Sequence, residues 1–337
     1  MADANDMRAA WYERQGPARE VIRIGRMARP EPGPGEVRVS IHASGLNPTD
    51  VKRRTGFGGM PMDYPRIVPH QDGAGVIDAV GAGVPPSRIG ERVWLYETQH
   101  GRAIGTAAEF AVVPQHQALP LPANVSFQAG AALGVPYMTA HRCLFADGPI
   151  TGATVFVPGG AGAVGNAAIQ LAKWGGAATV IATVSRPEQE KVARAAGADH
   201  VIDRKREDVA ARVMALTANK GVDRIVEISP EQNFAAALKV IKVNGVISIY
   251  AMDRADSVLS APLLSLLRSA VTLRWAYIYR LPQALKDAAV REIGAALAAG
   301  ALKPHIGATY ALERVAEAHD RLDSGTLVGK AVIALAD

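Results

Sequence analysis

The feature that most constrains the fold is a glycine-rich turn, Gly160-Ala-Gly-Ala-Val-Gly165, near the middle of the 337-residue chain. An apolar run at residues 154–157 precedes the turn and has the character of a buried strand. Residues 166–174 follow the turn with apolar side chains at helical spacing. A strand, a G-x-G-x-x-G turn and a helix in this order are typical of the first unit of a dinucleotide-binding domain.

Each glycine of the turn has a separate predicted role. Gly160 permits the tight turn, Gly162 lets the backbone approach a pyrophosphate, and Gly165 lets the helix pack on the strand. The free N–H groups and the positive dipole end of the helix then face the phosphates. A packing contact between small residues is the alternative interpretation. The candidate cofactor contacts in the turn are Gly160, Ala161, Gly162, Ala163, Val164 and Gly165.

The segment that follows the turn alternates apolar runs with helical segments. The further apolar runs are at residues 179–184, 200–202, 224–227 and 246–250. Continuous apolar strands that alternate with helices predict an α/β fold, a doubly wound parallel sheet covered on both faces. Ligands of such sheets bind at the carboxyl ends of the strands.

The first third of the chain and its last part have a different pattern. Short runs with strand character, bounded by glycine and proline, predict an antiparallel, partly closed sheet. These runs are at residues 36–42, 73–81, 92–96 and 108–113. The end of the chain is mixed, with predicted helices at 284–299 and 312–323 and a strand at 330–335.

Composition excludes several classes of protein. Cys143 is the one cysteine, which excludes an intramolecular disulfide and a cysteine-rich zinc site and favours a reducing compartment. Lys and Arg (37) exceed Asp and Glu (32) by five charges spread along the chain, so we expect no nucleic acid partner. We also expect no membrane partner, because no apolar run reaches roughly 18 residues. Residues 1–14 lack a signal-peptide core, so a cytoplasmic protein is expected.

The end of the second apolar run indicates which dinucleotide binds. An NAD site usually has an Asp or Glu about 20 residues after the glycines, whereas this chain has Ser185 and Arg186, with Lys191 shortly after. A hydroxyl, a guanidinium and an ammonium suit the 2′-phosphate of NADPH. Alternatively these charges are solvated and Ser185 caps a helix. Arg204, after the third run, would stack on the adenine or join the phosphate site.

Several further motifs stand in a characteristic order along nearly the whole chain. They are Ala43-Ser-Gly-Leu-Asn-Pro-Thr-Asp50, Arg54-Thr-Gly56, Pro69-His-Gln-Asp-Gly-Ala-Gly75, Val135-Pro-Tyr-Met-Thr-Ala140 and Ser324-Gly-Thr-Leu-Val-Gly-Lys330. With these motifs and the glycine-rich turn, the chain resembles the medium-chain dehydrogenase/reductase superfamily. The resemblance is to its zinc-free, zeta-crystallin-like quinone oxidoreductases.

The resemblance implies how the domains are arranged. A GroES-like catalytic domain, residues 1–129 and 271–337, is expected to be split in sequence around a Rossmann domain, residues 130–270. The cofactor would lie in the cleft between them, with Thr139, Tyr250 and Ala251 at the nicotinamide end. The family also implies a homodimer formed through the edge strand of the nucleotide domain.

The residues at the usual zinc positions predict that no zinc is bound. Zinc-dependent relatives have Cys, His and Cys where this chain has Asn47, Gln71 and Val135. A catalytic zinc needs three N, S or O protein ligands. The cysteine-rich structural zinc loop is missing as well. His70, next to the ligand position, is expected to be a hydrogen-bonding side chain.

The catalytic candidates are Asn47, Asp50 and Lys52. By resemblance, Asn47 and Asp50 lie at the cleft. Asn47 would donate to a substrate oxygen or start a turn, and Asp50 would hold the loop. Lys52 replaces a tyrosine of the relatives, and it would bind an anionic acceptor or be solvated. Other candidate proton donors are Tyr64, Tyr137, Tyr279 and water, and Cys143 is expected to be a buried small residue.

Without a Lewis acid, an acceptor that takes hydride directly is favoured. The predicted function is an NADPH-dependent oxidoreductase that transfers hydride to a small-molecule quinone or activated enone. An enoyl-thioester reductase is one alternative, since it shares the fold. A non-catalytic, crystallin-like protein that binds NADPH or RNA is another.

Overall fold

The computed structural model of the chain describes residues 5–335, and the chain forms two compact units. The divided unit is the chain up to Val135 together with the chain from Pro304 onwards, and the central unit is Pro136–Lys303. We expected the chain to return to the first domain at residue 271. That boundary is wrong, because residues 272–275 form a strand of the central sheet and the helix at residues 283–298 belongs to the same unit.

The divided unit is rich in β-structure, as predicted. Its strands are β1 (Asp6–Trp11), β2 (Arg23–Ala28), β3 (Glu36–Leu46), β4 (Asp72–Val80), β5 (Arg92–Leu95), β6 (Phe110–Pro114), β7 (Ala118–Pro120), β14 (Ile306–Ala311) and β15 (Lys330–Ala334). Its helices are α1 (Ala18–Val21), α2 (Pro48–Thr55), α3 (Phe127–Gly130) and α11 (Val315–Asp323).

In this unit β1 and β2 form an antiparallel pair, and the other strands form one sheet in the order β14-β15-β3-β4-β5-β7, with β6 paired to β3. The long strand β3 buries Val37, Val39 and Ile41 on one face, as expected from its period of two. These side chains pack with Ile77 and Val93 from the neighbouring strands. The predicted antiparallel pairing is confirmed from β15 through β3 to β7, and for β6 on β3, whereas β14 pairs with β15 in parallel.

The central unit has the predicted α/β architecture. Its strands are β8 (Thr154–Val157), β9 (Thr179–Val184), β10 (His200–Asp203), β11 (Val222–Glu227), β12 (Ile241–Ile249) and β13 (Thr272–Trp275). Its helices are α4 (Gly134–Phe145, which begins in the divided unit), α5 (Ala163–Trp174), α6 (Pro187–Ala195), α7 (Val209–Leu216), α8 (Pro230–Val240), α9 (Leu263–Ser269) and α10 (Gln283–Ala298).

The central sheet is parallel, in the order β10-β9-β8-β11-β12-β13. This is the doubly wound order of a Rossmann fold, in which the strand order reverses between β8 and β11. The inner strands β8 and β9 are mainly apolar without alternation because helices cover both faces. Val155 and Ile181 are 0% exposed, for example. The carboxyl ends of the strands therefore meet at one edge, where a ligand is expected.

Within residues 5–335, no helix combines the length and the apolar character needed to cross a membrane.

Candidate functional site

The glycine-rich turn joins β8 to α5 and has the shape predicted for it, with one correction. Gly159 has the left-handed φ of +71°, so the tight turn falls on Gly159 and not on Gly160. Gly160 must be small because it packs against β9: a Cβ on Gly160 would lie 2.7 Å from the Cβ of Ala182. The Gly159 N–H donates to Oγ1 of Thr183, which fastens the turn to β9.

Gly165 and Gly162 differ in what surrounds them. A Cβ on Gly165 would overlap the carbonyl oxygen of Gly159 and lie 2.9 Å from its carbonyl carbon, so α5 packs directly on the turn. A Cβ on Gly162 would meet only the Gly159 oxygen, at 3.4 Å, among the described residues outside its own neighbours. Gly162 therefore leaves open space at the start of α5, where the first N–H groups lack intrahelical acceptors. This turn fits the pyrophosphate of a dinucleotide.

A cavity of about 240 Å³ lies beside the turn at the carboxyl edge of the sheet. It is lined by strand residues and strand ends, by the first turn of α7 and by the length of α8. Its polar lining residues are Thr183, Arg204, Glu227, Gln232 and Asn233. Because Thr183 also binds the glycine-rich turn, the turn and the cavity form one continuous edge of the central unit.

The four residues predicted for the 2′-phosphate differ in how they are engaged. Ser185 donates from its backbone N and its Oγ to Oε1 of Gln189, at 2.9 and 3.1 Å. Arg186 lies 3.0 Å from the Glu188 carboxylate. Lys191 is exposed. Arg204 is also exposed, and its guanidinium makes no hydrogen bond or ion pair with residues 5–335.

The residues predicted for the nicotinamide end are spread over two elements. Tyr250 and Ala251 follow β12 at the carboxyl edge, where the Tyr250 N–H donates to the Glu227 carbonyl oxygen. Thr139 is buried on α4. Cys143, on the same helix, is fully buried as predicted, and burial raises the pKa of its thiol. A thiol held protonated in this way is not an activated nucleophile.

In the divided unit, Asn47 belongs to a buried polar cluster that the sequence did not predict. Its Nδ2 donates to Oδ2 of Asp72 at 2.8 Å, and its Oδ1 accepts from Nζ of Lys330 at 2.6 Å. Lys330 also binds Oδ2 of Asp72 at 2.8 Å, and the Val135 N–H donates to Oδ1 at 2.9 Å. The Asn47 amide is thus held by protein groups, which supports its structural interpretation.

Asp50 is a catalytic candidate in which one carboxylate oxygen has no hydrogen-bond partner among the described residues. Its Oδ2 accepts from the Asn47 backbone N–H at 2.7 Å at the start of α2. Its Oδ1 is buried and has no hydrogen-bond partner among the described residues. Burial, reinforced by the charge of Asp72, raises the Asp50 pKa to about 7 despite the opposing effects of the Asn47 N–H and Lys330. This carboxyl therefore holds its proton to a much higher pH than an exposed aspartate does.

Lys52, the third catalytic candidate, lies on α2, two residues after Asp50. Its ammonium is 4.2 Å from the ring centroid of Phe57, at a distance typical of a cation–π contact. Tyr64, an alternative proton donor, gives its hydroxyl hydrogen to the carbonyl oxygen of Gly101 at 2.6 Å. The first contact joins α2 to the residues that follow it, and the second joins two separate segments of the divided unit, so both side chains have a structural role.

His70 begins a second buried network, in line with its expected hydrogen-bonding role. Its Nε2 lies 3.0 Å from Nε2 of His319, and Arg54 donates to Nδ1 of His319 at 3.4 Å. Because Arg can only donate, His319 carries its proton on Nε2 and gives it to His70. All three side chains are at most 1% exposed.

The network continues from the other nitrogen of the His70 ring, and again each group donates a hydrogen bond to the next. Nδ1 of His70 donates to Oγ of Ser44 at 2.7 Å, and Ser44 donates to Oγ1 of Thr106 at 2.7 Å. Thr106 in turn donates to the Asp72 carbonyl oxygen. Every donor in this chain finds an acceptor only while both histidines are neutral.

The residues at the usual zinc positions do not fit the metal. The Asn47 amide is held by Asp72 and Lys330, Nε2 of Gln71 donates to Gln99 at 3.0 Å, and Val135 has no donor atom in its side chain. Both ring nitrogens of His70 are engaged. In the part of the chain that the structure describes, no three His, Cys, Asp or Glu side chains are grouped to hold a metal ion.

The histidine pair predicts a loss of stability in acid. Burial lowers the pKa of His70 to about 3 and that of His319 well below its usual value. Both are neutral in the folded protein, whereas the unfolded chain binds their protons below about pH 6.5. Their contribution to stability is therefore complete above pH 6.5 and falls in acid. We expect a loss of about 2 kcal/mol from His70 between pH 7.5 and 5.0, to which His319 adds in the same direction.

Urea denaturation at the two pH values measures this loss. His319→Gln should reduce the pH dependence, and His200→Gln, a half-buried histidine on β10, is the matched control. Equal pH dependence in the wild type and His319→Gln would show that the pair does not titrate in this way.

Comparisons with known proteins agree with these two units. A model described as an alcohol dehydrogenase GroES-like domain matches residues 33–123, and one described as a zinc-binding dehydrogenase matches residues 163–294. The chain is 30% identical to the quinone oxidoreductase of Rattus norvegicus over 328 residues, which cover 96% of each protein.

Solved structures show the same likeness. A mycobacterial protein solved in complex with NADPH is 28% identical, with a TM-score of 0.84 over 98% of this chain and 100% of that chain. A structure described as an NAD-dependent alcohol dehydrogenase is 29% identical, with a TM-score of 0.87 over the same shares.

A Rossmann sheet with a glycine-rich turn and a GroES-like unit in one chain define the medium-chain dehydrogenase/reductase class. Within this class the chain belongs to the quinone oxidoreductase family, as its motifs predicted, and it is an oxidoreductase.

Proposed function

We propose that the protein is an NADPH-dependent reductase of quinones or activated enones that works without zinc. The observation that carries this proposal is the carboxyl edge of the central sheet. There Gly162, at the N-cap of α5, leaves space for a phosphate beside the helix. At the end of β9, Ser185 and Arg186 stand where an NAD site usually has a carboxylate. When bound, NADPH supplies the hydride. The chain's own residues bind it, orient it and hold the proton that the acceptor also needs.

The glycine-rich turn would hold the pyrophosphate, and the adjoining cavity would take the adenosine end. Arg204 is the strongest candidate for the 2′-phosphate because its guanidinium lines the cavity and is not engaged by residues 5–335. Arg186 and Ser185 would also bind the 2′-phosphate, in place of their present contacts with Glu188 and Gln189. The nicotinamide would meet Thr139, Tyr250 and Ala251.

Arg204→Ala should therefore weaken NADP⁺ binding about 10-fold more than NAD⁺ binding, since a hydrogen bond to a charged group is worth about 1.5–3 kcal/mol. Calorimetric dissociation constants for both nucleotides measure the effect. Arg206→Ala removes a guanidinium that pairs with Asp203 outside the cavity, and it should leave the ratio unchanged. An unchanged ratio in Arg204→Ala would exclude Arg204 as a phosphate ligand.

Asp50 would supply the proton that accompanies the hydride. Its unsatisfied Oδ1 and a pKa of about 7 suit a general acid at neutral pH. Enone reduction should then slow as the pH rises through about 7, and Asp50→Asn should be slower and lose this dependence. If Asp50→Asn keeps the wild-type pH profile, water supplies the proton.

Catalytic roles for Asn47 and Lys52 stay predictions.

The choice of acceptor is tested by following NADPH oxidation with a panel of compounds. Quinones and simple enones should turn over faster than crotonyl-CoA. Preferential reduction of crotonyl-CoA would favour an enoyl-thioester reductase, and binding of NADPH without any turnover would favour a non-catalytic protein.

We also propose that the protein forms a homodimer through β13. This strand ends the central sheet, and within residues 5–335 its other side has no strand partner. Large apolar side chains on β13 and on the preceding helix α9 are exposed, among them Trp275 (60%) and Leu267 (77%). Sedimentation velocity should give twice the 35.4 kDa chain mass, and Trp275→Lys should give the monomer. A monomeric wild type would contradict this proposal.

A further inference from the structure

Glu227 is a buried carboxylate at the end of β11 that is only half satisfied. It is 0% exposed. Its Oε1 accepts from the Ser229 N–H at 2.6 Å and from Nδ2 of Asn233 at 2.8 Å. Its Oε2 has no hydrogen-bond partner among the described residues. A buried oxygen without a donor costs about 1–3 kcal/mol, so such a group indicates a partner outside the chain.

The surroundings of Glu227 restrict what this partner can be. Glu227 lines the cavity of about 240 Å³, whose other walls include Phe156, Val209 and Val240. The cavity is smaller than the roughly 300–1,000 Å³ of pockets that enclose drug-sized ligands, so it suits one ring system better than a whole dinucleotide. The cavity thus combines apolar walls with a buried acceptor that has no donor among the described residues, which suits an aromatic ring that carries an N–H donor on its edge.

We propose that Oε2 of Glu227 accepts from the 6-amino group of the cofactor's purine, so that Glu227 selects adenine over a 6-oxo purine. This inference rests on the proposed NADPH function and adds a specificity-determining residue to it. Thr183 lines the same cavity and binds the glycine-rich turn, which places the base beside the pyrophosphate site. A 6-oxo purine would turn an acceptor toward the carboxylate and leave both groups without a donor.

Burial and, to a smaller extent, the charge of Glu231 raise the pKa of Glu227, and hydrogen bonds from Asn233 and from the backbone of Ser229 and Ile228 oppose this shift. A donor on Oε2 would favour the ionised form further. The carboxylate and the base amine thus stabilise each other.

The experiment measures binding by calorimetry, without turnover. Wild-type protein is titrated with NADP⁺ and with its deamino analogue, which carries hypoxanthine in place of adenine. We expect NADP⁺ to bind at least 10-fold more tightly, because one unpaired buried group is worth roughly a factor of ten. Equal affinities for the two nucleotides would overturn the inference and leave the NADPH function intact. If neither nucleotide binds, the proposed function fails together with it.

Glu227→Gln provides a second, sharper measurement. The amide keeps Oε1 as the acceptor for Ser229 and Asn233, and it places N–H donors where Oε2 was. The preference for adenine should therefore shrink at least 10-fold or reverse toward hypoxanthine, which a merely structural role would not produce. Glu190→Gln, on the exposed face of α6 where Glu190 pairs with Arg194, is the matched control and should keep the wild-type ratio. A wild-type ratio in Glu227→Gln would also overturn the inference.

Discussion

Gly165→Ala is expected to weaken NADP⁺ binding by about 100-fold, the loss that a displacement of about 1 Å can cause at a precisely arranged site. The new Cβ would overlap the Gly159 carbonyl oxygen and lie 2.9 Å from its carbon and 3.0 Å from Cα of Gly160. These are backbone atoms, which cannot rotate away. The start of α5 must therefore move off the turn that would hold the pyrophosphate.

Two measurements test this expectation. Calorimetry gives the dissociation constant for NADP⁺, and urea denaturation reports the cost of overpacking, which we expect to be about 1–3 kcal/mol. Gly294→Ala, in the middle of α10, is the matched control because its Cβ would meet no atom within 4 Å. A Gly165→Ala protein that binds NADP⁺ with wild-type affinity would show that the contact between α5 and the turn does not shape the cofactor site.

Lys330→Met is expected to destabilise the protein by about 3–5 kcal/mol, as breaking a buried ion pair does. The side chains of Lys330 and Asp72 are 3% and 0% exposed. Without the ammonium, the Asp72 carboxylate is buried with no counter-charge and Oδ1 of Asn47 loses its donor. The start of α2, which carries Asp50, would lose its support at the same time.

Urea denaturation at pH 7.5 measures this change. Lys242→Met is the matched control, because Lys242 and Asp223 form an ion pair at the same 2.8 Å distance with side chains 33% and 37% exposed. Such a pair is worth about 0–1 kcal/mol. A loss below about 1 kcal/mol in Lys330→Met would show that the buried cluster is not needed for the fold.

The central sheet was predictable because its strands and helices have local periodicity. β8 and β9 match the predicted runs residue for residue, and α5 ends at the predicted residue, Trp174. β13 was not predicted, because its four residues, Thr-Leu-Arg-Trp, have no apolar run and are fixed only by pairing with β12. For the same reason the predicted domain boundary at residues 270–271 was wrong.

The candidate site was predictable where its residues are close in sequence. The glycine-rich turn is such a case, although local spacing could not tell that the positive φ falls on Gly159. The contact between Lys330 and Asn47 joins residues 283 positions apart, and that between His70 and His319 joins residues 249 apart. No local pattern predicts such pairs. The role of Glu227 depends in the same way on a cavity formed by several elements.

The most direct test of the zinc-free NADPH function is turnover by wild-type protein treated with a strong chelator. Reduction of a 1,4-quinone by NADPH should proceed at the untreated rate, faster than with NADH, and no alcohol oxidation should be detected. The residues at the usual zinc positions, Asn47, Gln71 and Val135, offer no set of metal ligands that the chelator could empty. Alcohol oxidation with NAD⁺ that the chelator abolishes and added zinc restores would contradict the proposed function.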